Sequence, residues 1–291
     1  VGGTKDLIVV PGHVNELRAC IAEARAATTN PRSLAMLDRV SEQFESGVAQ
    51  VKAAAVKTTD DIQNRLRNAS PRDVVTVAPG TYKVSETIYL TNCVTLVSST
   101  GSRDDVVFEP ADGFAGRLCV LRAPDTTAAN RPVVSGITFR GTESEGRNGG
   151  QLFVQYPGGV VTNCRFTGCI TRSLSDTSGG AVYLQEGGSL LDSVIDHNKG
   201  LQPAGTSNNA KPCATAGVLM GESGSAKKNI GGVNVERCLI VHNEGYGIRY
   251  GNITYYTPLV RHCTIADNAS TSAEGGGVYQ TAGKLVNCIV V

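Results

Sequence analysis

Six times between residues 133 and 291 the chain returns to one short pattern, and only a fold with a matching spatial repeat can absorb it. An apolar residue is followed by two spacers, a small residue that is usually Cys, one spacer, and then Phe, Ile or Val. The copies are VSGITFRG (Val134, Ile137, Phe139), VTNCRFTGC (Val161, Cys164, Phe166) and LLDSVIDHN (Leu190, Ser193, Ile195). They continue as VERCLIVHN (Val235, Cys238, Ile240), VRHCTIADN (Val260, Cys263, Ile265) and LVNCIVV (Leu285, Cys288, Val290). The last three cysteines are 25 and 25 residues apart, and the earlier intervals of 27, 29 and 45 are the same unit with longer loops. Self-similarity at this period marks a solenoid.

A second element alternates with the first: GGQLFVQ, GGAVYLQ, AGVLMGE, YGIRYGN and GGVYQTA, with Leu152, Val182, Val218, Ile248 and Val278 in one column. Short period-two apolar runs broken by Gly, Asn and Ser read as strands joined by turns. The repeat region holds no helix-length stretch between strands, which argues against a sandwich or a doubly wound sheet. A coil of parallel strands, rising about 4.8 Å per turn, stacks each residue column upon itself. Asn198, Asn243 and Asn268 each stand three residues after the Ile of the pattern, as an asparagine ladder at one bend requires. The pattern predicts an all-β, single-stranded right-handed parallel β-helix over residues 73–291 with an open C-terminal end. Residues 1–72 are an N-terminal strand and helical cap region.

In that N-terminal part Asp6 to Val10 is a strand candidate. Val14 to Ala27 carries Val14, Leu17 and Ile21 on one helical face, and Asn30-Pro31 breaks it. A second helix places Leu37, Val40, Phe44, Val48 and Val51 at helical spacing. A third begins after Thr59-Asp60, with Asp60 as cap and Gln63 as its capping-box partner. These helices read as a cap over the solenoid end or as a contact with another chain. The chain begins with Val and stops within a repeat, so it reads as an excised or mature segment. Either further coils follow, or copies of the chain meet end to end, with Asp6 to Val10 as a donated strand.

IQNRLRNASPRDVVTVAPGTY, followed by VTLVSSTG and VVSGITFRG, resembles the N-terminal part of the pectin-lyase-like β-helix superfamily. The GGAVY and IDHN, IVHN and IADN stations resemble repeats of bacterial polymorphic outer-membrane proteins and other large surface β-helix proteins. The resemblance covers roughly residues 61–291 and implies fold more than function, because this scaffold carries lyases, glycosidases, esterases, phage spikes and adhesins. The superfamily's polygalacturonase and classical pectate-lyase signatures are absent. VIDHN at Val194 to Asn198 resembles a pectate-lyase element, yet it is one copy of the repeat.

Net charge is +1, with 27 basic against 26 acidic residues, which gives no overall field for nucleic acid or an anionic membrane. No run of about twenty apolar residues is present to span a bilayer. Nine cysteines leave at least one unpaired within the chain. Cys164, Cys238, Cys263 and Cys288 fall in one inward column as a buried thiol ladder, while Cys169 and Cys213 lie between units and could bridge. Paired CxxC or CxxH spacings are missing, so no metal site is expected.

Two columns carry the chemistry. The residue before the Cys station is Asn163, Asp192, Arg237, His262 and Asn287 in successive coils, stacking an acid, a guanidinium and an imidazole. Asp192, Arg237 and His262 are thus the catalytic candidates of a polysaccharide lyase or related carbohydrate-active enzyme, with Ca2+ as its only expected cofactor. They are equally a charge-paired edge. His197, His242 and Asp267 form a similar column before the ladder asparagine. Phe153, Tyr183, Leu219, Arg249 and Tyr279 should point outward, where Phe153, Tyr183, Arg249 and Tyr279 could stack on sugar rings unless the insertions at 199–215 or 221–232 cover them. The expected role is a secreted or cell-surface structural or adhesive protein that contacts polysaccharide or surface glycan, with the enzyme as the alternative.

Overall fold

The computed structural model describes residues 14–53, 55–127, 130–145, 148–172, 179–201, 215–222, 232–251, 253, 256–270, 276–280 and 282–291. The expected strand at Asp6 to Val10 lies outside these residues, as does Cys213.

The described strands form three parallel sheets, visited in the order first, second, third along the coil; Lys199–Leu201 is an additional strand beside Arg165–Arg172 in the second, and the last described coil reaches only the first two. The first sheet runs from Val74–Val77 through Thr95–Ser98, Val133–Ser135, Gly159–Thr162, Gly188–Leu191, Asn234–Glu236 and Leu259–Arg261 to Lys284–Val286. The second runs from Gly80–Val84 to Ile289–Val290, and the third from Ile88–Leu90 to Val278–Tyr279. Registers match the predicted columns residue for residue. Leu152, Val182, Val218, Ile248 and Val278 pair in sequence down the third sheet. Phe166, Ile195, Ile240, Ile265 and Val290 do so down the second.

The interior is a stack of like on like. Tyr82, Phe108, Phe139 and Phe166 occupy one column with ring centroids 5.7, 5.7 and 5.0 Å apart. Ile195, Ile240 and Ile265 continue it, each fully buried. Burying such side chains stabilises by about 1.5–3 kcal/mol each. The last coil leaves Leu285, Val286, Ile289, Val290 and Val291 exposed.

Two sharp bends flank the second sheet, and both need a left-handed backbone. At the first, Gly136, Asn163, Asp192, Arg237, His262 and Asn287 have φ between 50° and 67°. At the second, Gly141, Gly168, His197, His242 and Asp267 have φ between 53° and 68°. Gly takes this conformation without cost, and Asn, Asp and His are enriched there among other residues.

Helix α1 (Val14–Ala26) and α2 (Pro31–Ala53) pack on each other around Val14, Phe44 and Val48, a cluster separate from the coil's core. Leu17 departs from expectation at 42% exposed, because the face shared by the two helices is narrow. Helix α3 (Thr59–Asn68) instead buries Ile62 and Leu66 in the main core against the first coil. Its cap is Thr58 rather than Asp60: Thr58 Oγ1 accepts from the Asp61 N–H at 3.1 Å. Gln63 turns away from the cap and donates to the Glu86 and Thr87 carbonyls, tying helix to coil.

Candidate functional site

The predicted catalytic column is the first bend. Asp192 and Arg237 meet there in a bidentate pair, Nε to Oδ1 at 2.6 Å and Nη2 to Oδ2 at 3.0 Å. Arg237 Nη1 also donates to Glu236, whose other oxygen accepts from Arg261 Nη2 at 2.6 Å. The Asp192 hydrogen bond pushes the Arg237 pKa further up, so the guanidinium is permanently charged. His262 occupies the same bend position one coil further on, with an exposed side chain. The loop at 99–105 leans on this bend. Arg103 Nη1 donates to the Asp192 and Cys164 carbonyls at 3.0 and 3.3 Å, and Asn163 Nδ2 donates to the Gly101 carbonyl at 2.8 Å. Arg103 escapes a reading of columns because it reaches the bend from a different coil.

Behind the first bend, the thiol ladder is in place. Cys164, Cys238 and Cys263 are buried and Cys288 is half-buried, and all four are free. Ser193 stands in the same column and accepts from the Cys164 N–H at 3.1 Å, as Cys263 Sγ does from the Cys238 N–H at 3.4 Å. Burial pushes the Cys164 thiol up to about 12 and the Cys238 thiol well above its ordinary value. Cys164 and Cys238 are inert core groups rather than nucleophiles, whereas the hydrogen bond from the Cys238 thiol draws the Cys263 thiol below its ordinary value.

At the second bend the asparagine ladder forms as predicted. The Asn198 N–H and Nδ2 donate to Asn243 Oδ1 at 3.1 and 2.9 Å, and Asn243 repeats this on Asn268 at 3.1 and 2.8 Å. Each amide also donates to the carbonyl of the inward Phe or Ile one coil earlier. Cys169 requires a correction, since it lies in strand Arg165–Arg172 rather than in a loop. It is a buried free thiol that occupies the ladder position of its coil. Its N–H donates to Asn198 Oδ1 at 2.9 Å and its Sγ accepts from Thr142 Oγ1 at 3.1 Å.

Outside the ladder, Asp196 is buried and holds Arg165 at 3.1 and 2.6 Å and His197 Nδ1 at 3.0 Å. Burial opposes its charge, but Arg165 and His197 keep its carboxyl below the usual range. The His242 ring lies beside that of His197, tilted by 46° with centroids 5.4 Å apart, and its Nδ1 lies 3.8 Å from Asp267 Oδ2. Among the described residues no group of three or more His, Cys, Asp and Glu could hold a metal ion.

The proposed sugar-stacking column is in register but largely covered. Tyr183, Leu219 and Arg249 are buried, and Phe153 and Tyr279 are half-buried. Phe153 stacks on Tyr183 at 4.9 Å beneath Arg117, and Arg249 lies 4.5 Å over the Tyr279 ring. The same column begins earlier than predicted, with Tyr89 and Val120. Tyr89 is 53% exposed and is the open aromatic face of this column. Its signal in the sequence was the alternation of TIYL, which places Tyr89 outward between buried Ile88 and Leu90.

The family model described as right handed beta helix region matches residues 152–291. The fold is a right-handed parallel β-helix. No curated protein sequence matches this β-helix. Among solved structures it is similar to ORF18 of Geobacillus virus E2, at 16% identity and TM-score 0.48, covering 88% of this chain and 51% of that one. The chain thus spans about half the length of that viral protein. It is also similar to the pectin methylesterase from Aspergillus niger, at 12% identity and TM-score 0.39, covering 82% and 85% of the two chains. An open cleft of about 510 Å³ lies at the capped end of the β-helix, lined by Asp61, Asn64, Arg65, Asn68 and Asp73 among others, away from both bends. Among the described residues no helix is long and apolar enough to cross a membrane.

Proposed function

We propose that this β-helix is a structural or adhesive scaffold, secreted or held at a cell surface, that contacts glycan through outward side chains and does not turn it over. The observation that carries this reading is the double engagement of Arg237 by Asp192 and Glu236. Lyase chemistry needs a cation that neutralises the substrate's carboxylate, and a guanidinium already bonded along both edges to two protein carboxylates has little left to offer. The left-handed backbone supports the same reading, since it accounts for Asn, Asp and His in the column without a catalytic demand. Glycan contact falls to Tyr89, an exposed flat ring on the third sheet.

The test is a panel of uronic-acid polysaccharides read twice, by affinity electrophoresis for binding and by absorbance for unsaturated product. Binding without product is expected, weakened several-fold by Tyr89→Ala and unchanged by Arg237→Ala. Unsaturated product that disappears in Arg237→Ala would replace the scaffold with the lyase, for which Ca2+ would then be the cofactor to add. End-to-end assembly is read separately, as regular fibres in electron micrographs.

A further inference from the structure

We propose that His197 and His242 form a two-imidazole site for a borderline divalent transition-metal ion of the zinc, nickel or copper class. The two residues are 45 positions apart in sequence, but the coil stacks them at the second bend of adjacent turns. Both side chains are more than half exposed, at 63% and 52%.

The left-handed backbone accounts for His at these positions, but not for what surrounds the rings. His197 Nδ1 is hydrogen-bonded to Asp196 Oδ2 at 3.0 Å, whereas His242 Nδ1 stands 3.8 Å from Asp267 Oδ2, an ion-pair separation beyond hydrogen-bond reach. At His197 the carboxylate holds the proton on Nδ1 and leaves the Nε2 lone pair for a ligand, the arrangement that orients metal-binding histidines. Asp196 is itself fixed by Arg165, so the His197 ring is anchored from behind. Two imidazoles bound tetrahedrally at about 2.0–2.1 Å place their ring centroids roughly 5 Å apart. The observed centroid separation is 5.4 Å. Two carboxylates against the Arg165 guanidinium leave the corner net negative, while Lys199 and Glu244, two residues beyond each histidine, pair with each other at 2.7 Å. Water completes the coordination, as befits a site with two protein ligands.

Nickel(II) is titrated into the full chain, free of any affinity tag, and followed by calorimetry and by paramagnetic broadening of histidine resonances. Selective broadening of His197 and His242, with His262 sharp, is expected at one ion per chain. His197→Asn or His242→Asn, which keep a side chain suited to the left-handed bend, should each weaken binding at least tenfold. Asp196→Asn should weaken it by about tenfold through loss of ring orientation. His262→Asn, at the other bend, should change nothing. Binding that survives both His197→Asn and His242→Asn, or no binding at millimolar nickel, overturns the proposal.

Discussion

From Asn163 onward the left-handed residue of the first bend is followed by Cys or Ser, and from His197 onward that of the second by Asn, and the two bends hold the coils together with different strengths. Asn243 accepts twice from Asn198 and donates to the Ile195 and Val241 carbonyls and to Asn268, every bond between 2.8 and 3.1 Å. Cys238 donates through sulfur to the Leu190 and Glu236 carbonyls at 3.5 and 3.3 Å, and its N–H reaches Cys263 Sγ at 3.4 Å. Thiols are weak donors and acceptors. The second bend is therefore pinned by polar bonds in a dry site, whereas the first is filled by small side chains that pack.

The largest effect expected from breaking this contrast is at Asn243. Asn243→Ala takes the acceptor from the Asn198 N–H in a buried site and removes the amide's bonds to the Ile195 and Val241 carbonyls and to Asn268. It should cost about 3–5 kcal/mol in urea unfolding. Cys238→Ala should cost about 1–2 kcal/mol, and Cys238→Ser less than about 1 kcal/mol, because Ser193 already serves in that column. A Cys238→Ala loss as large as that of Asn243→Ala would make the two bends equivalent.

Alkaline pH probes both bends through Cys164 and Cys169, whose thiols burial raises from 9.0 to about 12. The unfolded thiol loses its proton from about pH 9 while the folded one keeps it. Stability is thus full below pH 9 and declines from there toward pH 12. Denaturant midpoints across that range should fall, and Cys164→Ser with Cys169→Ser should flatten the decline. The smallest effect is expected on the outside of the first bend. Arg237→Ala removes an exposed ion pair and should leave the melting temperature within error, since exposed pairs contribute little.

The columns were legible because a stacked coil turns sequence period into spatial contact. Val161 over Leu190 or Asn198 over Asn243 needs no knowledge beyond the repeat. The direction of a column was legible too, but its cover was not. Tyr183 and Arg249 point outward as read, yet both are buried: Phe153 stacks on the Tyr183 ring, and Arg249 lies over Tyr279 of the next coil and Tyr246 of its own strand. Asp192, Arg237 and His262 read in the sequence as an acid, a cation and an imidazole base. Their shared backbone angle, which favours Asp and His for geometry alone, is not visible in a string of letters. Cys169 looked like a loop thiol because its strand runs past the second bend without the asparagine that marks the later coils.

Asn198 and Asn243 are 45 residues apart, Asn243 and Asn268 only 25, and the two ladder steps agree to within 0.1 Å. Contour length between stations is thus uncoupled from the spacing of the stations themselves. Such a chain can accept new sequence between its fixed points as a shelf accepts books, each insertion free to acquire its own surface chemistry while the uprights stay where they are. A peptide grafted between Leu201 and Thr215 would test this directly, as a change of surface without a change of frame.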